Sequence, residues 1–250
     1  MSESADALAL VASGDFRALT QAISRVEDGD LEFVEAIREF QTSAQPLVVG
    51  FTGSPGVGKS TLVSAAVTQF RKSFNSVAVI AVDPVSPFSG GALLGDRIRM
   101  QEHIADEKVF IRSMSTRGEL GGVVADAKDI IKLCAVAGFE VVIIETVGVG
   151  QSEIAVMHVA PTVVVVLAPG MGDGVQAAKA GVLEIADIVV VNKSDMPAAE
   201  TTKRDVISAH LHSARYSEWT IPVVSTIAMT SSGVDQLCDV IEQHSRFLTH

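Results

Sequence analysis

Leu47-Val48-Val49-Gly50-Phe51-Thr52-Gly53-Ser54-Pro55-Gly56-Val57-Gly58-Lys59-Ser60 carries a complete G-x-x-x-x-G-K-[ST] phosphate loop directly behind an apolar run. The order predicts a strand, a glycine turn and a helix, because that sequence of elements aims backbone N–H groups and a positive helix end at one anion. Gly53, Gly56 and Gly58, with Ser54, Pro55 and Val57 between them, let successive N–H groups turn inward around phosphate oxygens. Lys59 can reach the β- and γ-phosphates, the Ser60 hydroxyl can ligate Mg²⁺, and Thr61 opens the helical run Thr61 to Val67.

Outward from the loop, β-branched runs alternate with helical patterns. Val77 to Val82, Val109 to Ile111, Val141 to Ile144, Val163 to Leu167, Ile188 to Val191 and Val223-Val224 read as strands buried on both faces. Helices are expected near 60–72, 121–137, 174–185, 198–214 and 232–247. The expected fold class is α/β, a doubly wound and mostly parallel sheet with helices on both faces and its site along the carboxyl ends of the strands. Two amphipathic stretches come first, Ala5 to Val26 and Leu31 to Phe40, with Asp15 and Asp30 placed as N-caps or first-turn acids. Ser43-Ala44-Gln45-Pro46 forms a break, so residues 1–45 are assigned to an N-terminal helical extension and 46–250 to the nucleotide-binding domain.

A chain of 250 residues with 48% hydrophobic content can bury one large core. Its two cysteines, Cys134 and Cys238, lie far apart in predicted helices, which suggests neither a disulfide framework nor a cysteine metal site and fits a reducing compartment. A formal charge of −11 argues against nonspecific nucleic-acid binding, which needs surplus Lys and Arg. The apolar runs are too short to span a membrane, and the acidic start lacks a basic signal region, so the expected location is the cytoplasm, with no membrane partner.

The base is read from Asn192-Lys193-Ser194-Asp195, an N-K-x-D that closes an apolar strand about 130 residues after the phosphate loop. The Asp195 carboxylate can accept from the ring N–H and exocyclic amine of guanine, the Lys193 stem can lie along the base, and Asn192 can brace neighbouring loops. Adenine offers no such donor pair, and leaving a buried carboxylate unpaired can cost on the order of 10⁴ in selectivity. Three acids stand where metal and water chemistry needs them: Asp83 after one strand, Glu145 after another, and Asp96 in Gly95-Asp96-Arg97. Carboxylates at strand ends can hold Mg²⁺ or orient the attacking water, and phosphoryl transfer depends mainly on such positioning. Gly148-Val149-Gly150-Gln151 would supply a loop able to sense the γ-phosphate.

The sequence resembles the MeaB/ArgK/MMAA family of P-loop GTPases, chaperones of adenosylcobalamin-dependent acyl-CoA mutases. The resemblance runs through Gly14-Asp15-Phe16-Arg17, Val82-Asp83-Pro84-Val85-Ser86-Pro87-Phe88-Ser89-Gly90-Gly91, Gly95-Asp96-Arg97-Ile98-Arg99-Met100, Arg112-Ser113-Met114-Ser115-Thr116-Arg117-Gly118, Glu145-Thr146-Val147-Gly148 and Pro169-Gly170-Met171-Gly172-Asp173. It implies a slow, partner-stimulated GTPase using GTP/GDP and Mg²⁺, whose nucleotide state gates adenosylcobalamin delivery to a methylmalonyl-CoA mutase type of enzyme and protects it. A cobalamin adenosyltransferase is a further implied partner. Lys59, Asp83, Asp96 and Glu145 would be the catalytic set, with Ser60, Asp83, Asp96 and Glu145 around the metal. Asn192, Lys193, Asp195 and the Ala228 N–H would hold guanine. The segment from Pro169 to Lys179, with Asp173 and Gln176, would be a further switch.

Three departures from the family pattern stand out. Ile227-Ala228-Met229 replaces Ser-Ala-Leu, removing a serine brace; Glu119 replaces a histidine in Arg117-Gly118-Glu119-Leu120-Gly121-Gly122; and a C-terminal dimerisation arm is missing, so a homodimer would lack it. A metal-delivery GTPase is the alternative within this class and would need a Cys/His cluster, whereas His103, His158, His210, His212, His244 and His250 are scattered. The His210-x-His212 spacing points its two rings to different faces of a predicted helix, so a solvated pair is expected. A GTP-sensing adaptor without useful turnover is a third reading, opposed by the acidic cluster. A small-molecule kinase would have little need of the N-K-x-D. No arginine finger can be assigned, with Arg97, Arg99 and Arg117 as candidates.

Overall fold

The computed structural model describes residues 3–84, 100, 103, 105–116, 120–146, 157–170, 182–210 and 218–249, with the backbone alone at 83, 84, 115, 116, 120–123, 182, 209 and 210. Three helices come first, α1 (Glu3–Ala12), α2 (Phe16–Glu27) and α3 (Leu31–Glu39). Asp15 caps α2 by accepting from the backbone N–H groups of Arg17 and Ala18, and Asp30 caps α3 by accepting from that of Phe33. The first amphipathic stretch is therefore two helices: Gly14 takes φ +83°, a left-handed turn that ends α1 one residue before the Asp15 cap.

The sheet follows as β1 (Leu47–Thr52), β2 (Val77–Pro84), β3 (Val109–Thr116), β4 (Val141–Thr146), β5 (Thr162–Leu167), β6 (Ile188–Val191) and β7 (Val223–Ser225). The spatial order is β3-β2-β4-β1-β5-β6-β7, and every pairing between these strands is parallel. The remaining helices are α4 (Lys59–Phe70), α5 (Leu120–Val136), α6 (Ala199–His210) and α7 (Val234–Leu248), with short 3₁₀ turns at Val182–Ile185 and Ala228–Thr230. The doubly wound α/β fold is the one expected. Several strands outrun their apolar cores, because polar residues such as Arg112 and Thr146 continue the ladder toward the carboxyl rim. Of the helix expected at 174–185, only Val182–Ile185 is described, as a 3₁₀ turn, and 211–214 lies outside the described residues.

Period-two alternation explains both faces. Val49, Phe51, Val79, Ile143, Val164 and Val166 pack with α4 and α7, where Leu62, Val63, Phe70, Leu237 and Ile241 are buried. Ala78, Ile80, Val142, Ile144, Val163 and Val165 share the opposite core with the N-terminal helices and α5, through Leu8, Leu19, Phe33, Ile130 and Leu133. Covering both faces is what demands unbroken β-branched strands. Phe16 of α2 lies 5.4 Å from Phe110 and 5.5 Å from Phe139, ring to ring, so the first helices share the sheet's own core.

At the amino end of β5 and β6, α7 is fixed by a buried polar group. His244 Nδ1 lies 2.9 Å from Thr162 Oγ1, its Nε2 lies 3.7 Å from Asp187 Oδ1, and the Val163 N–H donates to Asp187 Oδ2 at 2.8 Å. Trp219 covers this group, with its indole N–H donating to Asp187 O at 2.9 Å and its ring 4.7 Å from the His244 imidazole.

Candidate functional site

The phosphate loop leaves β1 at its carboxyl end, and its glycines are required by crowding as well as by turning. A Cβ on Gly53 (φ +146°) would meet Val166 O at 2.2 Å, and one on Gly58 (φ +91°) would meet Asn192 Nδ2 at 2.6 Å. The backbone is thus drawn against β5 and the N-K-x-D loop as no residue with a side chain permits. Gly58 is also the N-cap of α4 and brings no side-chain cap to it, leaving the helix end to a ligand's oxygens.

Lys59, 6% exposed, folds its ammonium over the loop and donates to Gly53 O at 2.6 Å and Ser54 O at 3.1 Å. The buried Ser60 hydroxyl donates to Glu145 Oε1 at 2.7 Å, joining α4 to the end of β4. Parallel register places Glu145 beside Phe51 on β1 and Ala81 on β2. Glu145 is only 2% exposed. Next to it, Thr146 donates its hydroxyl to Thr52 Oγ1 at 3.2 Å. A hydroxyl and a carboxylate in contact at a helix N-terminus are hard oxygen donors of the type Mg²⁺ selects. Asp83 lies in the last turn of β2's ladder, opposite Ser115 of β3, and only its backbone is described. Asp96, Gly148 to Gln151, Met171 to Lys179 and the candidates Arg97, Arg99 and Arg117 lie outside the described residues.

Asn192 knits the site together. Its Nδ2 donates to Val57 O at 2.9 Å, while its Oδ1 accepts from the Thr226 hydroxyl at 3.1 Å and from the Ala228 N–H at 3.0 Å. Lys193, held at φ +56°, donates from Nζ to Gly56 O at 2.8 Å. The phosphate loop, the loop after β6 and the loop after β7 are therefore one hydrogen-bonded rim. Asp195 is exposed on that rim, its carboxylate open to a ligand. The Ala228 N–H, read from the sequence as a donor to a guanine carbonyl, is spent on Asn192 in this structure. Thr226 was not singled out in the sequence: it is fully buried, its N–H donates to Val191 O, and its carbonyl accepts from Ser194 N–H, all of which depends on β6–β7 pairing. His103 and His244 are also buried rather than solvated, and the side chains of His210 and His212 are outside the described residues.

The model of the family described as methylmalonyl-CoA mutase-associated GTPase MeaB matches residues 16–250. A relative from Pyrococcus abyssi named as a GTPase is 47% identical over 239 residues, covering 94% of this chain and 74% of its own length. GTPase ArgK of Escherichia coli is 34% identical over 259 residues, covering 98% of this chain and 77% of its own. A solved structure described as an LAO/AO transport system kinase superposes with a TM-score of 0.76 at 28% identity, covering 100% of this chain and 78% of that one. With the fold, the phosphate loop and this breadth of similarity in agreement, the chain belongs to the MeaB/ArgK/MMAA family of P-loop GTPases.

Proposed function

We propose that this GTPase hydrolyses GTP with Mg²⁺ at the rim just described, and that its nucleotide state gates the loading and protection of an adenosylcobalamin-dependent acyl-CoA mutase of the methylmalonyl-CoA type. The observation that carries the nucleotide reading is Asn192, which binds the phosphate loop through Val57 and the base-side loop through Ala228 with one carboxamide. The mutase as partner is supported by the description of the matching family and goes no further than that.

In this reading the α4 N-terminus and the Gly53 to Ser60 amides hold the phosphates. Lys59 exchanges its contacts with the Gly53 and Ser54 carbonyls for phosphate oxygens, a short movement for an ammonium already inside the loop. Ser60, Asp83, Asp96 and Glu145 would hold Mg²⁺, which when bound neutralises charge on the phosphate oxygens. Glu145, nearly excluded from solvent, keeps the Ser60 hydroxyl oriented. Asp195 accepts from the two guanine donors and so selects the base. With no arginine finger assigned, turnover by the protein alone is slow.

Steady-state hydrolysis of GTP and ATP, each with and without a candidate mutase carrying adenosylcobalamin, tests this. GTP should be hydrolysed and ATP not, the mutase should raise the rate several-fold, and Lys59→Ala should abolish turnover in both conditions. GTP hydrolysis indifferent to every such mutase removes the partner, and a preference for ATP removes the base assignment.

A further inference from the structure

Three hydrogen bonds of the rim meet on one carboxamide, and they are not equivalent. Asn192, only 2% exposed, presents Nδ2 to Val57 O at 2.9 Å, while its Oδ1 accepts the Ala228 N–H at 3.0 Å and the Thr226 hydroxyl at 3.1 Å. A backbone carbonyl can only accept and a backbone N–H can only donate, so Val57 O and the Ala228 N–H fix which end of the amide faces the phosphate loop. The Thr226 hydroxyl is the second donor on the same Oδ1.

Thr226 also holds the backbone on either side of Asn192. Its N–H donates to Val191 O at 3.0 Å, one residue before the asparagine, and its carbonyl accepts the Ser194 N–H at 3.0 Å, one residue before Asp195. Thr226 itself is fully buried. Ile227, between it and Ala228, gives its N–H to Ser232 O and has no hydroxyl to offer. Asn192 is therefore braced by a single hydroxyl among the described residues.

In the guanine reading the Ala228 N–H donates to the C6 carbonyl of the base, yet here that N–H is engaged by Asn192. Passing it to the base leaves Oδ1 with the Thr226 hydroxyl alone. We propose that Thr226 is a positioning residue for guanine recognition: its hydroxyl keeps the Asn192 carboxamide facing Val57 while the Ala228 N–H passes to the base, and so keeps the phosphate loop and the base loops in one register. This rests on the reading of Asp195 and Ala228 as base-side residues given above. Thr226 does not touch the nucleotide. It acts through Asn192. Adenine carries an amine where guanine has that carbonyl, so it does not draw the N–H away, and the hydroxyl matters less for it.

The test compares Thr226→Val, which keeps the side-chain shape without the donor, with Thr226→Ser, which keeps the hydroxyl. Affinities for GDP, IDP and ADP are measured by titration calorimetry at fixed Mg²⁺, together with the Tm of each nucleotide-free protein. IDP shares the C6 carbonyl of guanine and lacks the exocyclic amine that Asp195 would accept. Thr226→Val should weaken GDP and IDP alike by about tenfold, an effect the size of one buried hydrogen bond. The affinity for ADP should stay within about twofold, so the preference for guanine falls, and Thr226→Ser should regain most of it. Should Thr226→Val fail to fold, Thr226→Cys, whose thiol is a weak donor, decides, and it should show the same pattern. An equal loss for all three nucleotides with a lower Tm would make Thr226 a core residue only and overturns the proposal. So do unchanged GDP and IDP affinities in a folded variant, a loss confined to GDP, or a Thr226→Ser as weak as Thr226→Val. Wild-type protein that binds ADP as tightly as GDP defeats the underlying guanine reading, and this one with it.

Discussion

At Gly53 a single methyl group separates a working phosphate loop from a strained one, because the nearest atom to an added Cβ is the Val166 backbone oxygen, which cannot swing aside. Strain of that kind costs about 2–3 kcal/mol, so Gly53→Ala should lower Tm by roughly 5–10 °C in a chain of this size and weaken GTP binding in a titration. Gly50 offers the contrast: its Cβ would meet the flexible Met157 side chain first, and Gly50→Ala should be milder in the same melting experiment. Asp126 of α5 behaves differently again. Burial, with Asp129 and Glu27 adding repulsion, raises its carboxyl above the usual range, so its ionised form opposes folding at neutral pH. Asp126→Asn should therefore raise Tm at pH 7, and the gain should vanish below about pH 4, where both folded and unfolded states are protonated. At this scale the loop residues were legible because G-x-x-x-x-G-K-S and N-K-x-D state their contacts in their spacing. Thr226 and the burial of His103 were not, since each depends on a partner set by strand order or by a helix some 40 residues away, which spacing does not encode.

Among elements, the sheet was read from β-branched runs because two covered faces leave no room for polar alternation, and the strands were read too short wherever a polar tip continued the ladder. The N-terminal helices show how a layer is fastened. Arg38 of α3 holds Asp129 of α5 through two bonds, Nε to Oδ1 at 3.0 Å and Nη2 to Oδ2 at 2.8 Å, and Arg112 of β3 reaches Glu27 of α2 at 2.9 Å. The Phe16, Phe110 and Phe139 rings add an aromatic cluster to the same core. We propose the division into a helical layer at residues 1–45 and a nucleotide domain at 46–250 as a division of sequence, with one core between them. A chain starting at residue 46 should bind a hydrophobic dye and aggregate, whereas Arg38→Ala should stay folded and show faster amide exchange in α3 alone. A soluble, cooperatively melting 46–250 fragment would show two separable units.

For the whole molecule, each face of the sheet is covered by a helix carrying one buried thiol: Cys134 of α5, which burial pushes up to about 12, and Cys238 of α7, which burial and the neighbouring acids raise further. Neither should react with a thiol reagent at pH 8 in the native protein, and both should react at one rate through the denaturant transition if the two layers open together. Earlier labelling of one cysteine would identify the layer that opens first. The lone Trp219 has a different consequence. It rests on His244 and Asp187 at the amino edge of β5 and β6, while the nucleotide rim occupies the carboxyl edge, roughly 15–20 Å away across a six-residue strand. Intrinsic fluorescence of this protein is therefore a gauge of how α7 is seated, and a nucleotide can change that emission only by a signal carried through the length of the sheet.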